Sequence, residues 1–598
     1  MSARYAIGID LGTTHCALAR VALEGDGRTE IVEIPQLVAG GGLESRRLLP
    51  SFIYVPPEAE GAMPLPWDAE RRVAVGDLAR ARGAEVPGRV VASAKSWLCH
   101  PSADRRAGML PLGAAEDVDT VSPVEAAFRY LEHLIEAYDH QHAETDGPLA
   151  EQKVVLTVPA SFDAAARDLT VEAAMAAGID DLTLLEEPQA ALYAWLEQAG
   201  DGWRTQLNPG DVVLVVDIGG GTTDYSAIEV RDEDGELTLV RVAVGEHILL
   251  GGDNMDLALA HAVRQRLEEE GVSLDGWQMN ALTHAARAAK EKLLGDPDCR
   301  SVPVVVPKRG SQLVGGSVRT EVDRDVLSRL IVEGFFPEVD KTARPKARSR
   351  VGLTQFGLPY ASDPAVTKHL ARFLAKQQDA TGDPEEMLRP TVLLFNGGVM
   401  RSELLRERLR GTLQRWLESS PRTLLGTDLD LAVARGAAHY GRIREGEGIR
   451  IRGGTAQAYY VGIESAVPAV PGLEPPITLM CAAPFGMEEG TEASLPPHQL
   501  AVVVGEPVHF RFFGSHVRRH DEAGATLARW SDDEIHELQP IEITLPAEGR
   551  NDGDLVPVSL RASITEVGTL LLEAVPDEPL EDGERWKVEL SVRGEADG

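Results

Sequence analysis

Short β-branched, apolar runs alternate with amphipathic helical stretches over the first 440 or so residues of this chain, and past about residue 450 only short strands remain. "YAIGID" and "VVLVVD" are runs of the kind that form buried strands, and each is followed by a glycine-containing turn and a second strand. The two segments, "AIGIDLGTTHCALARV" (6–21) and "VLVVDIGGGTTDYSAIEV" (213–230), repeat one pattern with Asp10 and Asp217 at its head. Helical spacing is clearest in "SPVEAAFRYLEHLIEAY". There Ser122 and Glu125 predict a capping box, and Val124, Ala127, Phe128, Leu131, Leu134 and Tyr138 one apolar face. "DNMDLALAHAVRQRLEEEG" and "NALTHAARAAKEKLL" predict two more helices. Strand hairpins mixed with such helices predict an α/β domain with two similar halves. "AYYVGIE", "QLAVVVG", "PVHFRFF", "IEITLP", "VPVSLRASI", "GTLLLEAV" and "WKVELSV", separated by Pro, Gly and acidic clusters, predict an all-β sandwich after it.

A chain of 598 residues is long enough for several domains. Its 94 acidic and 59 basic residues leave a net charge of −35, which repels phosphate backbones and anionic lipid and argues against nucleic-acid or membrane-surface partners. Cys16, Cys99, Cys299 and Cys481 stand far apart, which fits a reducing compartment and neither a disulfide framework nor a zinc site. With no leader pattern and no membrane-length apolar run, a cytoplasmic location is expected.

The repeated turns carry the candidate chemistry. Gly12, Gly219, Gly220 and Gly221 relax the backbone and expose N–H groups, Thr13, Thr14, Thr222 and Thr223 add hydroxyls, and a carboxylate precedes each turn. Amides and hydroxyls cradle a polyphosphate, and carboxylates hold the Mg²⁺ that neutralises it. Two such hairpins facing each other would clamp one nucleotide. Neither a Walker lysine motif nor a Gly-x-Gly-x-x-Gly after a strand is present.

The hairpins resemble the phosphate loops of the actin, hexokinase and heat-shock protein 70 superfamily. "TVPASF" (157–162), "EEPQAALYAW" (186–195), "LGGDNMD" (250–256), "LFNGGVMRS" (394–402) and "DLDLAVARGAA" (428–438) narrow the resemblance to the heat-shock protein 70 chaperones. It implies a duplicated, two-lobed actin-like nucleotide-binding domain over 1–445, a linker over 446–455 and a smaller β-sandwich, substrate-binding-like domain over 456–598, with no helical lid after it. It implies ATP/ADP and Mg²⁺ as cofactors and an unfolded or extended polypeptide as client, and leaves open J-domain and nucleotide-exchange co-chaperones.

Carried over residue by residue, the resemblance puts Asp10, Glu187 and Asp217 around a hydrated Mg²⁺, and Thr222 and Asp224 at the attacking water. Gly12, Thr13, Thr14 and Gly219 to Thr222 fall on the phosphates, with His15 beside them as a donor or a bystander. Gly251, Gly252, Asp253, Gly397, Gly398 and Asp430 line the nucleotide cleft. Arg287, Lys290 and Glu291 face the adenosine and Arg401 stacks on it. In "VGDLAR", Arg80 is expected where the family has its catalytic lysine. Pro159 and Arg167 match the family's interdomain relay. In "REGEGIRIRGGTA" (444–456), Ile449 and Ile451 keep half of the family's aliphatic linker. The basic run Lys341, Arg344, Lys346, Arg348 and Arg350 reads as a solvated loop or a docking patch. An ATP-hydrolysing chaperone is the expectation; a nucleotide-responsive binding module with little turnover is the alternative. A small-molecule kinase lacks a motif for its base, and an actin-like filament would be obstructed by the trailing β-domain.

Overall fold

The computed structural model describes residues 3–591 except 26, 101, 115, 234, 308–316, 347–356, 377–386, 418, 447–448, 453–454, 456, 466–474, 488–490, 497–499, 516–517, 519, 532–533, 539, 548, 566–568 and 581–583. Two compact units form. The first takes Met1–Thr238, Gly245–Gln378 and Glu385–Arg450; the second takes Leu239–Val244, Asp379–Pro384 and Ile451–Gly598.

The first unit is α/β and holds two sheets of similar plan. One runs Leu182–Glu186, Lys153–Val158, Tyr5–Leu11, His15–Ala22, Glu30–Ile31. The other contains Arg422–Thr423, Val392–Asn396, Val212–Ile218 and Thr223–Glu233 in that order. In each, the strand that opens a repeated hairpin pairs antiparallel with its own return strand and parallel with a strand from farther along the chain. Asp10 therefore lies opposite Thr157, and Asp217 opposite Asn396. Val213, Leu214, Val215, Val216 and Ile218 are fully buried, as expected of a strand covered on both faces.

The helix Pro123–Asp146 starts at the predicted cap, where Ser122 Oγ accepts from the Glu125 N–H at 2.9 Å. Val124, Ala127, Leu131, Leu134 and Tyr138 are buried as predicted, while Phe128 is only half-buried. The other two predicted helices form as Gly252–Glu269 and Gly276–Gly295. Helices Glu187–Ala199 and Ala432–Arg444 cross so closely that a Cβ on Gly436 would lie 1.7 Å from the Ala190 carbonyl oxygen. Only glycine permits that crossing.

The second unit is β-rich. One five-stranded sheet is built on Ala458–Glu464 and Ile477–Ala483, another on Leu555–Ile564, Thr569–Pro576 and Trp586–Ser591. Tyr459, Val461, Met480 and Phe512 from the first share a core with Val558, Leu560, Leu572, Trp586 and Val588 from the second. Along Leu555–Ile564 buried and exposed residues alternate, one face inward and one to solvent. Two details differ from the expected strands. "PVHFRFF" breaks at Arg511: Pro507–Phe510 pairs with Ile541–Thr544, while Phe512–Ser515 pairs with Ala458–Glu464. Ile477–Ala483 is a central strand that the pattern did not isolate. Within this unit Leu239 and Val240 pair in parallel with Ile451 and Arg452, so the Ile-Arg segment does form a short strand. Arg348 and Arg350 of the basic run lie outside the described residues; Lys341 and Arg344 are exposed. Among the described residues, no helix is long and apolar enough to cross a membrane.

Candidate functional site

The two repeated turns meet. A Cβ on Gly220 would lie 2.0 Å from Thr14 Cγ2, and one on Gly221 would lie 2.7 Å from Thr13 Cγ2, so the second turn is pressed against the first. The Gly219–Gly220 carbonyls also receive the start of the helix Gly252–Glu269, through Gly252 N at 3.0 Å and Asp253 N at 2.8 Å. Gly12 carbonyl accepts from Ser51 Oγ at 2.7 Å. Gly397 has φ of 85° and begins the turn that carries Gly398 and Arg401.

Around these turns the strand ends collect carboxylates. Asp10 and Asp217 come from the hairpins, Glu187 is the first residue of its helix, and Asp224 lies opposite Asp217 on the return strand. Asn396 Nδ2 donates to Asp217 Oδ2 at 2.8 Å. Burial, reinforced by Glu187 and opposed by Lys95, raises Asp10 to about 7. Burial and Glu187 raise Asp217 well above the carboxylate range. Burial likewise raises Glu187 and Asp224, against hydrogen bonds to Asp224 from Ser161 and Thr222. Asp217 and Asp224 are buried and Asp10 and Glu187 half-buried, and acids gathered in this way favour a cation beside them. Among the described residues no three His, Cys, Asp or Glu side chains stand close enough to hold a metal directly.

The cation present among the acids is Lys95. It is buried, forms an ion pair with Glu187 and lies 5.7 Å from the Phe162 ring centroid. Burial works against its charge, yet Glu187 and Asp10 hold its pKa above the ordinary lysine value. Arg80 is not brought to these acids. Its guanidinium pairs with Asp77 at 2.9 Å on its own helix, Asp77–Glu85, and is 39% exposed. The Gly76-Asp77 turn that places Arg80 does form, and beyond it the chain runs through another strand, Val90–Ala92, before Lys95. "VVASAKSWLC" carried the signal, a lone lysine in an apolar stretch.

A second cluster gathers the other expected residues. Arg287 reaches Asp253 at 2.5 Å and Asp256 at 2.7 Å, Lys290 pairs with Asp256 at 2.7 Å and donates to the Gly252 carbonyl at 3.0 Å. Ser93 Oγ donates to Asp253 Oδ2 at 2.8 Å. Glu291 is exposed and adds only its field to Arg287. Arg401 pairs with Asp430 at 3.0 Å. Burial, then the fields of Arg80, Arg287 and Arg401, lower His15 to about 4, so it is neutral at physiological pH; its Nδ1 lies 3.3 Å from Thr14 Oγ1. Arg167 is buried, pairs with Glu186 at 3.2 Å and donates to the Phe162 carbonyl at 3.1 Å.

Comparison with known proteins fits this arrangement. The model of the Hsp70 protein family matches residues 6–333, more than half of the chain. The chain belongs to the Hsp70 family. A chaperone protein HscA homolog of Pseudomonas aeruginosa (strain LESB58) is 34% identical over 313 residues, 50% of this chain and 43% of that protein. The homolog of Variovorax paradoxus (strain S110) is 29% identical over 399 residues, 64% of this chain and 57% of that protein. This Hsp70-family chain thus spans about half the length of the curated relatives it matches.

Proposed function

We propose that the first unit is a duplicated, two-lobed actin-like ATPase domain, and that the second is a β-sandwich whose grip on an extended polypeptide responds to the nucleotide. The domains would run 1–445 and 456–598, with 446–455 as linker. The approach of Gly220 to Thr14 and of Gly221 to Thr13 carries this reading, because it supports two phosphate-binding turns closing on one ligand.

In this reading the amides and hydroxyls of both turns bind the phosphates. Mg²⁺, when bound with ATP, neutralises phosphate oxygens. Lys95 neutralises charge spreading over the transferring phosphoryl group, and Glu187, Thr222 and Asp224 orient the attacking water. Arg287, Lys290 and Arg401 hold the nucleoside. J-domain and nucleotide-exchange proteins are the natural candidates for co-chaperones. The low-turnover alternative draws part of its support from an arginine in place of the catalytic lysine and part from the altered linker; a buried Lys95 beside Glu187 weighs against the first part only. The test is phosphate release from Mg-ATP by the purified chain, alone and with unfolded peptides. Peptide-stimulated release supports the proposal; tight ATP binding with no release under either condition overturns the hydrolytic part.

A further inference from the structure

A hydrogen-bonded chain of two side chains ends on Asp224. Ser161 Oγ lies 2.5 Å from Asp224 Oδ1 and 2.7 Å from His247 Nδ1. Ser161 has one hydrogen. If it points to the carboxylate, the serine oxygen must accept, and His247 Nδ1 must carry the proton that it donates. His247 Nε2 is then a bare acceptor, and it is buried without a hydrogen-bond partner among the described residues. Phe162 holds this imidazole edge-on at 6.1 Å, and the same ring takes the Lys95 ammonium at 5.7 Å. The relay and the Lys95–Glu187 pair are thus braced by one side chain.

We propose that Ser161 and His247 are positioning residues for Asp224, fixing the carboxylate that orients the attacking water. Three features support the assignment. Asp224 is buried, and its Oδ1 is held by Ser161 Oγ at 2.5 Å. His247 occupies the serine's lone pair, which leaves the serine hydrogen a single direction. The imidazole stays neutral for this task, because burial lowers it to about 4 against Asp163 and Glu187 and together with Lys95. Glu246, next in the chain, is engaged elsewhere with Arg372 at 3.0 Å. The inference rests on the proposed role of Asp224 at the water, and the experiment separates the two.

The test uses the full chain with Ser161→Ala, His247→Ala, His247→Asn, Ser161→Ala/His247→Ala and Asp224→Asn. Phosphate release is read against pH together with Mg-ATP affinity. The expected result for Ser161→Ala and His247→Ala is a fall in kcat of roughly tenfold to a hundredfold. Mg-ATP affinity stays within about twofold, so the loss falls on kcat and not on binding. The double variant is no worse than either single one, because the two act as a unit. His247→Asn, which keeps a donor near the Nδ1 position, restores the profile. A wild-type kcat in Ser161→Ala, or a His247→Asn variant as slow as His247→Ala, overturns the relay. A wild-type rate in Asp224→Asn overturns instead the reading of Asp224 on which it rests.

Discussion

Lys95 and Asp10 act on each other's charge, and each is unfavourable alone. The lysine is buried and keeps its charge because Glu187 and Asp10 are there. Lys95→Gln is therefore expected to lower phosphate release by about 10² to 10³-fold, the scale for losing one preorganised charge at a reacting centre. Arg80→Ala removes an exposed i,i+3 pair and is expected to change it by less than about twofold. Equal losses in the two variants would contradict that assignment. Asp10 gives a pH signature without nucleotide. Its folded pKa is raised from 3.8 to about 7, so the folded chain binds this proton more tightly than the unfolded one. The resulting stability is fully present below about pH 4 and is lost as pH rises to about 7. Asp10→Asn cannot lose it. Its melting temperature should exceed that of the wild type by a margin that widens between about pH 4 and pH 7, while Mg-ATP binding weakens; a margin independent of pH would refute the cause given.

At the scale of elements, the crossing of Glu187–Ala199 with Ala432–Arg444 delivers Glu187 to the site, and Gly436 sets its closeness. Gly436→Val should cost about 3 kcal/mol or prevent folding, since the Ala190 backbone it meets cannot turn aside. Gly411, inside Glu403–Leu417 with no neighbour within 4 Å, is the contrast: Gly411→Ala should add about 1 kcal/mol. Urea midpoints of the two variants check both signs. Local patterns were legible at this scale. The two hairpins and the helix capped by Ser122 declare themselves through contiguous residues, and their bounds follow from turns and caps. Ile477–Ala483 did not, because an unbroken apolar run lacks the alternation that marks a half-exposed strand. The break at Arg511 was hidden for another reason: which sheet each half joins depends on partners distant in the chain. The same distance hid Lys95, Ser161 and His247. They meet Glu187 and Asp224 only once the strands are assembled, whereas Asp10 and Asp217 stood out because the sequence repeats their surroundings.

For the whole molecule, the open question is how nucleotide in the first unit would reach the second. Leu239 and Val240 pair with Ile451 and Arg452, at the point where the chain passes between the units. Ile451→Pro removes a backbone donor from that pairing. If nucleotide state travels along this segment, the variant keeps its basal phosphate release and loses stimulation by unfolded peptide; stimulation equal to wild type would show another route. All of this presupposes that both turns hold one nucleotide, and calorimetric titration of Mg-ATP into wild type, Asp10→Ala and Asp217→Ala tests that most directly. The account predicts one site per chain and a loss of about 100-fold or more in affinity from either substitution, since each removes a carboxylate facing the same ligand. Wild-type affinity in either variant would contradict it.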